Sequence, residues 1–195
     1  MPDSHPPDLG VTDVLLLGGR SGAGKTSVGW EISAQLQATR VAHCLIDGDN
    51  LDQAFPAPPG DLDRARLTAA NLAVIWGNYA ALGYRRLIYT NTVSVLEPGL
   101  ITGAIGGPTR VTAVLLTAGD STARHRLTAR EIGSQLDAHL HRSTVMARHL
   151  AEAADPSVIR IRTDARHITG IARQIIALTG WATEPPPGPG PWLEY

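Results

Sequence analysis

The chain has 195 residues, a net charge of −1 and 43% hydrophobic residues, enough for one domain with a sizeable buried core. The balanced charge leaves no basic footprint for nucleic acid or an anionic membrane, so neither is expected as a partner. A single cysteine, Cys44, excludes an internal disulfide and a cysteine metal cluster. No apolar run reaches the ~18 residues a membrane span needs, and Met1 to Gly10 has neither the cationic start nor the apolar centre of a secretory leader; a cytoplasmic protein is the expectation.

Residues 1–10 carry Pro2, Pro6 and Pro7 and are expected to be disordered ahead of a domain over 11–182. The first strand, 12–18, has in Val14 to Leu17 the continuous apolar look of a strand buried on both faces. It runs into Gly19-Arg20-Ser21-Gly22-Ala23-Gly24-Lys25-Thr26, the spacing of a phosphate-binding loop. Glycines let successive N–H groups turn inward on an anion, and the amides and dipole of a helix starting at Lys25 add to that site. Gly19, Arg20, Ser21, Gly22, Ala23, Gly24, Lys25, Thr26 and Ser27 are therefore the expected ATP-phosphate site. Lys25, the only lysine in the chain, would reach the β- and γ-phosphates, and the Thr26 hydroxyl would ligate Mg²⁺. The helix over 25–38 shows Val28, Ile32 and Leu36 on one face.

The second strand, 41–46, holds His43 and Cys44 as sheet residues and ends in Asp47-Gly48-Asp49-Asn50. Carboxylates at the carboxyl end of a strand lie where α/β sheets bind ligands. A loop follows over 52–62, then a helix over 61–82 with Asp61 or Asp63 as cap and Gly83 as stop. Leu67, Leu72, Ile75, Trp76, Tyr79 and Leu82 are its apolar members, with Trp76 and Tyr79 read as packing residues. The third strand, 85–90, ends in Thr90-Asn91-Thr92, with no carboxylate where many P-loop enzymes place one for Mg²⁺. Asp47 or Asp49 would then supply the metal partner of Thr26, and the candidate ligand set is Thr26 with Asp49.

A Gly/Pro-rich loop with a short helix over 97–105 leads to a fourth strand, 111–116. The next helix, from Ser121 as cap to Glu131, is dense in arginine, and Arg126 and Arg130, four apart, share a face that can clamp phosphate. After Gly133 a helix over 134–153 carries His139, His141 and His149; the first two do not share a face and are no metal pair. The fifth strand, 157–162, precedes Thr163-Asp164-Ala165-Arg166 and a last helix, 166–179, whose buried side is Ile168, Ile171, Ile175, Ile176 and Leu178. From residue 183 a proline-rich tail cannot continue it.

Five strands alternating with helices predict an α/β fold, a five-stranded parallel sheet flanked by helices. With its phosphate loop after the first strand, the chain resembles the small P-loop kinases of the nucleoside monophosphate kinase-like group. That group includes the adenylylsulfate, gluconate and shikimate kinases and the chloramphenicol phosphotransferases. Ile46-Asp47-Gly48-Asp49-Asn50-Leu51, then Asp63-Arg64 and Asn71, are similar in order and spacing to adenylylsulfate kinases. The likeness stops at Tyr89-Thr90-Asn91-Thr92-Val93-Ser94, which replaces that family's Ile-Ser-Pro-type segment. The resemblance implies ATP and Mg²⁺ as cofactors and Asp47 or Asp49 as the acceptor-side carboxylate. It also implies a mobile lid over 121–142 whose Arg126 and Arg130 reach the transferring phosphate, with Thr163 to Arg166 near adenine. The expected activity is phosphoryl transfer from ATP to a hydroxyl of a small-molecule acceptor, by a monomer or a homodimer. A nucleoside monophosphate or adenylylsulfate acceptor would call on Arg64, Arg66 and Arg85, and an ATP-binding regulatory protein is the reading from another class.

Overall fold

The computed structural model describes residues 10–130 and 136–181. The expectations for residues 1–9, for the segment around Gly133 and for the proline-rich tail lie outside them.

The elements in chain order are β1 (Thr12–Gly18), α1 (Lys25–Ala38), β2 (Cys44–Asp47), a 3₁₀ turn (Gly48–Asn50), α2 (Ala65–Ala81), β3 (Arg86–Thr90), α3 (Pro98–Ile105), β4 (Thr109–Thr117), α4 (Asp120–Arg130), α5 (Leu136–Ala153), β5 (Ile159–Arg162) and α6 (Ile168–Thr179). The sheet order is β2-β3-β1-β4-β5, and every neighbouring pair is parallel. This is the five-stranded parallel sheet expected from the alternation of strands and helices.

Side-chain alternation along β1 builds the layers. Leu15 and Leu17 join Ile88, Val114 and Ile161 against α1 and α6 through Val28, Ile32, Leu36, Ile171 and Ile175. Val14 and Leu16 face the other way, with Leu87, Tyr89 and Leu115, against Leu72 and Trp76 of α2, Ile101 of α3 and Leu150 of α5. β1 lies at the centre and all of its residues are buried, which is why Val14 to Leu17 read as an unbroken apolar run.

Several boundaries move, three of them for evident local reasons. The second strand starts at Cys44 and not at 41, because Val41 N–H still bonds to Leu36 O and closes the end of α1. The helix expected from 61 starts at Ala65. Asp61 does cap it, its two oxygens accepting from Arg66 N (3.1 Å) and Leu67 N (3.0 Å), but over a turn whose last residue, Arg64, has φ of 60°. The arginine-dense helix starts at Asp120, one residue before Ser121, so Ser121 is not its cap.

The expected stripe of α6 also needs one correction. Leu178 is exposed, because the chain turns at Gly180 (φ 72°) and Trp181 is buried in that core instead. Trp76 is buried, and Tyr79 packs edge-on to Tyr84, so both are packing residues as expected. Burial pushes the Cys44 thiol up to about 12, and His43 bonds to Ser33 and to the Val41 carbonyl; both are sheet-region residues. Among the described residues no helix is long and apolar enough to cross a membrane.

Candidate active site

Parallel strands align their carboxyl ends at one edge of the sheet, and three segments meet there: the loop after β1, Asp47 to Asn50 after β2, and Asn91-Thr92 after β3. Gly19 N–H bonds to Thr92 O (3.1 Å) and Asn91 N–H to Leu17 O (3.2 Å), which joins the first and third segments.

The loop needs its glycines for two reasons. Gly19 has φ of 145°, and a Cβ there would lie 2.5 Å from the Leu116 carbonyl oxygen. Gly24, at φ 98°, is the left-handed residue that starts α1 and brings no capping side chain; the first turn has no acid either. The first amides of α1 have no intrahelical acceptor and point their partial positive charge into the loop, the arrangement that binds an anion.

Lys25 is buried, and its Nζ donates to Thr92 Oγ1 at 3.2 Å. Burial depresses its pKa and Arg130 acts in the same direction, while Asp49 and Asp47 oppose them. Thr26 and Ser27 are exposed on the first turn of α1. Thr26 Oγ1 donates to Asp47 Oδ2 at 3.1 Å, and the other Asp47 oxygen accepts from Asp49 N–H (3.2 Å). Asp49 accepts from Asn91 Nδ2 (3.0 Å) and from the Thr92 amide. Burial raises the Asp49 pKa and Asp47 adds to the rise; Lys25 and the Thr92 amide counter it. Gly48 separates the two aspartates because a Cβ there would collide with the Tyr89 hydroxyl.

This geometry divides two residues that the sequence leaves as alternatives. Asp47 is the carboxylate hydrogen-bonded to Thr26, whereas the sequence reading sets Asp49 beside Thr26 as the metal ligand. Asp49 sits instead in the Asn91–Thr92–Lys25 group. Asn91 and Thr92 were not in the expected site. Their signal in the sequence is position alone: they follow the third strand, at the edge where ligands bind.

The arginines are corrected in a different way. The Arg20 guanidinium does not face the loop interior. It is buried and bonds to Ser143 Oγ (2.9 Å), Thr144 Oγ1 (3.2 Å) and Asp120, so only its main chain is left to the loop. Arg126 does not reach forward either. Its Nη1 donates to Gly22 O (3.1 Å), Ala23 O (3.3 Å) and Thr163 Oγ1 (3.0 Å), and its Nη2 to Thr163 O (3.1 Å). It braces the carbonyl side of the loop. Arg130, one turn on, is exposed and near enough for its charge to act on Lys25.

Thr163 is buried under the same brace, with Ala23 O 3.1 Å from its Oγ1, and offers no surface to a base. Arg166 is exposed and bonds to Arg162 O (3.2 Å) and Gln174 Oε1 (2.8 Å). Asp164 is held well below the usual carboxylate range by Thr122, Arg162 and the Gly119 amide, and thereby ties β5 to the start of α4.

The model of the adenylylsulphate kinase family matches residues 11–66, the stretch that holds the loop and both aspartates. A sugar kinase from Janibacter sp. HTCC2649 superposes with a TM-score of 0.59 at 17% identity, covering 90% of this chain and 96% of that one. A gluconokinase from Sinorhizobium meliloti 1021 gives 0.56 at 18% identity, covering 86% and 91%. The fold is that of the small P-loop kinases. An APS kinase from Mycobacterium tuberculosis, in complex with AMPPNP and APS, gives 0.52 at 21% identity over 86% of this chain and 97% of its own. No curated protein matches the chain in sequence.

Proposed function

We propose that the protein is an ATP-dependent phosphotransferase that moves the γ-phosphoryl group onto a hydroxyl of a small molecule. One observation carries this reading: a buried ammonium at the mouth of an uncapped, glycine-built helix start faces a half-buried carboxylate whose pKa is raised. The first half of that arrangement binds a polyphosphate; the second takes up a proton.

The loop amides and Lys25 hold the β- and γ-oxygens and balance charge as the bond from the γ-phosphorus to the bridging oxygen breaks. The acceptor oxygen forms the new bond, and its proton passes to Asp49, kept in place by Asn91 and the Thr92 amide. Arg130 of α4 would meet charge on the transferring group; its own charge already acts on Lys25. Thr26 Oγ1 and Asp47 Oδ2 are hard oxygen donors 3.1 Å apart on an exposed surface. Thr90 Oγ1, at the end of β3 in register with Asp47, is buried without a hydrogen-bond partner. Mg²⁺ is a cation held by one or two protein oxygens and the substrate phosphates. Thr26 and Asp47 would hold that ion, which supplies neutralisation of the β/γ charge when bound.

The hydroxyl acceptor is favoured over one that carries its own phosphate or sulfate. Arg64 bonds to Ala54 O, Arg66 to Gly60 O, and Arg85 to the Ala80 and Tyr84 carbonyls. Arg85 also precedes β3, at the end of the sheet away from the loop. An ATP-consumption screen over sugars, polyols and hydroxylated antibiotics, scored against Lys25→Ala, tests the proposal. ATP turnover that depends on one acceptor and is lost in the variant is the expected result. Undiminished turnover in Lys25→Ala would sink it, and tight ATP binding without any acceptor would favour the regulatory reading.

A further inference from the structure

The phosphate loop carries an arginine, Arg20, directly after its first glycine, and that side chain is among the most buried charged groups of the protein. A buried guanidinium is retained only where its donors are met, and here they are met by two helices distant in sequence. Nε donates to Ser143 Oγ (2.9 Å) and Nη2 to Thr144 Oγ1 (3.2 Å) on α5, and Nη1 pairs with Asp120 at the start of α4. Ser143 Oγ in turn bonds to the Ser21 carbonyl (2.9 Å). A Cβ on Gly22 would run into Ala123 of α4.

Apolar packing between β4 and α5 is incomplete at this point. A cavity of about 240 Å³ lies between β4 and α5 beside Arg20, lined by Leu115, Leu116, Ala147, Leu150 and Ala151. The tie between loop and helix is therefore largely polar and runs through the Arg20 side chain and the Ser143 contact with the Ser21 carbonyl.

We infer that Arg20 is a positioning residue: it sets the backbone of the phosphate loop against α4 and α5, so that phosphate in the loop and the placement of α5 are coupled. This rests on the nucleotide-binding reading of the loop. A phosphate drawing on the loop amides presses on a backbone whose rear is fixed at Ser143 and Thr144, and a displaced α5 would release that backbone. Two ends of one rigid connection must respond together.

The test uses the full chain, a non-hydrolysable ATP analogue with Mg²⁺, and two readouts: the dissociation constant, and amide hydrogen exchange of the loop and of residues 138–146. In the wild type the analogue should slow exchange in both segments. In Arg20→Met the dissociation constant should rise roughly tenfold, and protection of 138–146 should be lost at saturating analogue while loop protection persists. Arg20→Lys keeps the charge toward Asp120 but loses the planar fork, and should fall between the two. An Arg20→Met protein that binds within about twofold of wild type and still transmits protection to α5 overturns the inference. Should Arg20→Met fail to fold, Ser143→Ala with Thr144→Val removes the α5 acceptors of Arg20, together with the Ser143 bond to the Ser21 carbonyl, while leaving the loop sequence intact, and the same two readouts decide. A wild type that does not bind the analogue overturns the nucleotide reading and this inference with it; a wild type that binds it without protecting α5 overturns the inference alone.

Discussion

The phosphate loop has two sides built on opposite principles. On the rear, polar groups are matched: Arg126 meets the Gly22, Ala23 and Thr163 oxygens, and Arg20 meets Ser143, Thr144 and Asp120. On the front, Lys25 and Asp49 are held where burial disfavours the charged form of each, and the first amides of α1 lack a cap. The rear is where stability resides; the front holds free-energy costs that a bound phosphate and a proton would relieve. Charged side chains of this loop cannot be assigned to catalysis by sign or count, since the arginines nearest the loop in sequence and space belong to its support.

The two sides should separate under mutation. Lys25→Met should have the largest effect on the reaction, lowering transfer by about 10³-fold. Its melting temperature should hold or rise, because burial depresses the pKa of the ammonium it removes. A variant that melts lower would place Lys25 in the support.

Asp49→Asn should lower transfer by about 10²-fold, the usual worth of a general base. Its stability should rise at neutral pH, with a sign that follows from linkage. The folded pKa is raised above the ordinary 3.8, so the native state binds the proton more tightly than the unfolded chain. That contribution is present below the ordinary carboxylate range and is lost as pH rises through the raised value. Denaturant titrations of wild type and variant over pH 3.5 to 7, a window of about that range, should therefore diverge in the variant's favour as pH increases. Parallel curves would remove Asp49 from the buried carboxylates.

Arg126→Met strikes the rear. Removing the donor to the Gly22 carbonyl and one of the two donors to the Ala23 carbonyl should cost about 2 kcal/mol, or about 5 °C in melting temperature. The KM for ATP should rise more than kcat falls, as expected of a residue that shapes the loop without touching the reacting group. A loss confined to kcat with unchanged melting would return Arg126 to the front. The smallest effect is expected for Arg64→Ala and Arg85→Ala, whose transfer to a neutral hydroxyl acceptor should stay within about twofold of wild type. A much larger loss for Arg64→Ala would point to an acceptor bearing phosphate.

Much of the front was legible in the sequence. Gly19 to Thr26 announces its own geometry, because glycine spacing and a helix start are local properties of backbone. Asp47 and Asp49 were legible as a pair and not as individuals: two residues apart, they are told apart only by Thr26 on one side and Asn91 on the other. The rear is not legible in the sequence. Arg126 and Arg130 share a helix face in the sequence, yet the neighbouring carbonyls of Gly22, Ala23 and Thr163 take one and leave the other exposed.

The sequence by itself determined the strand and helix order, the two-faced core and the anion-binding loop, since apolar period and glycine freedom act within a few residues. Tertiary structure alone decided which donor meets which acceptor. Arg20 with Ser143, Lys25 with Thr92 and Asp49 with Asn91 join segments from 42 to 123 residues apart. A long polar side chain has many partners within reach, and only the folded sheet edge selects among them.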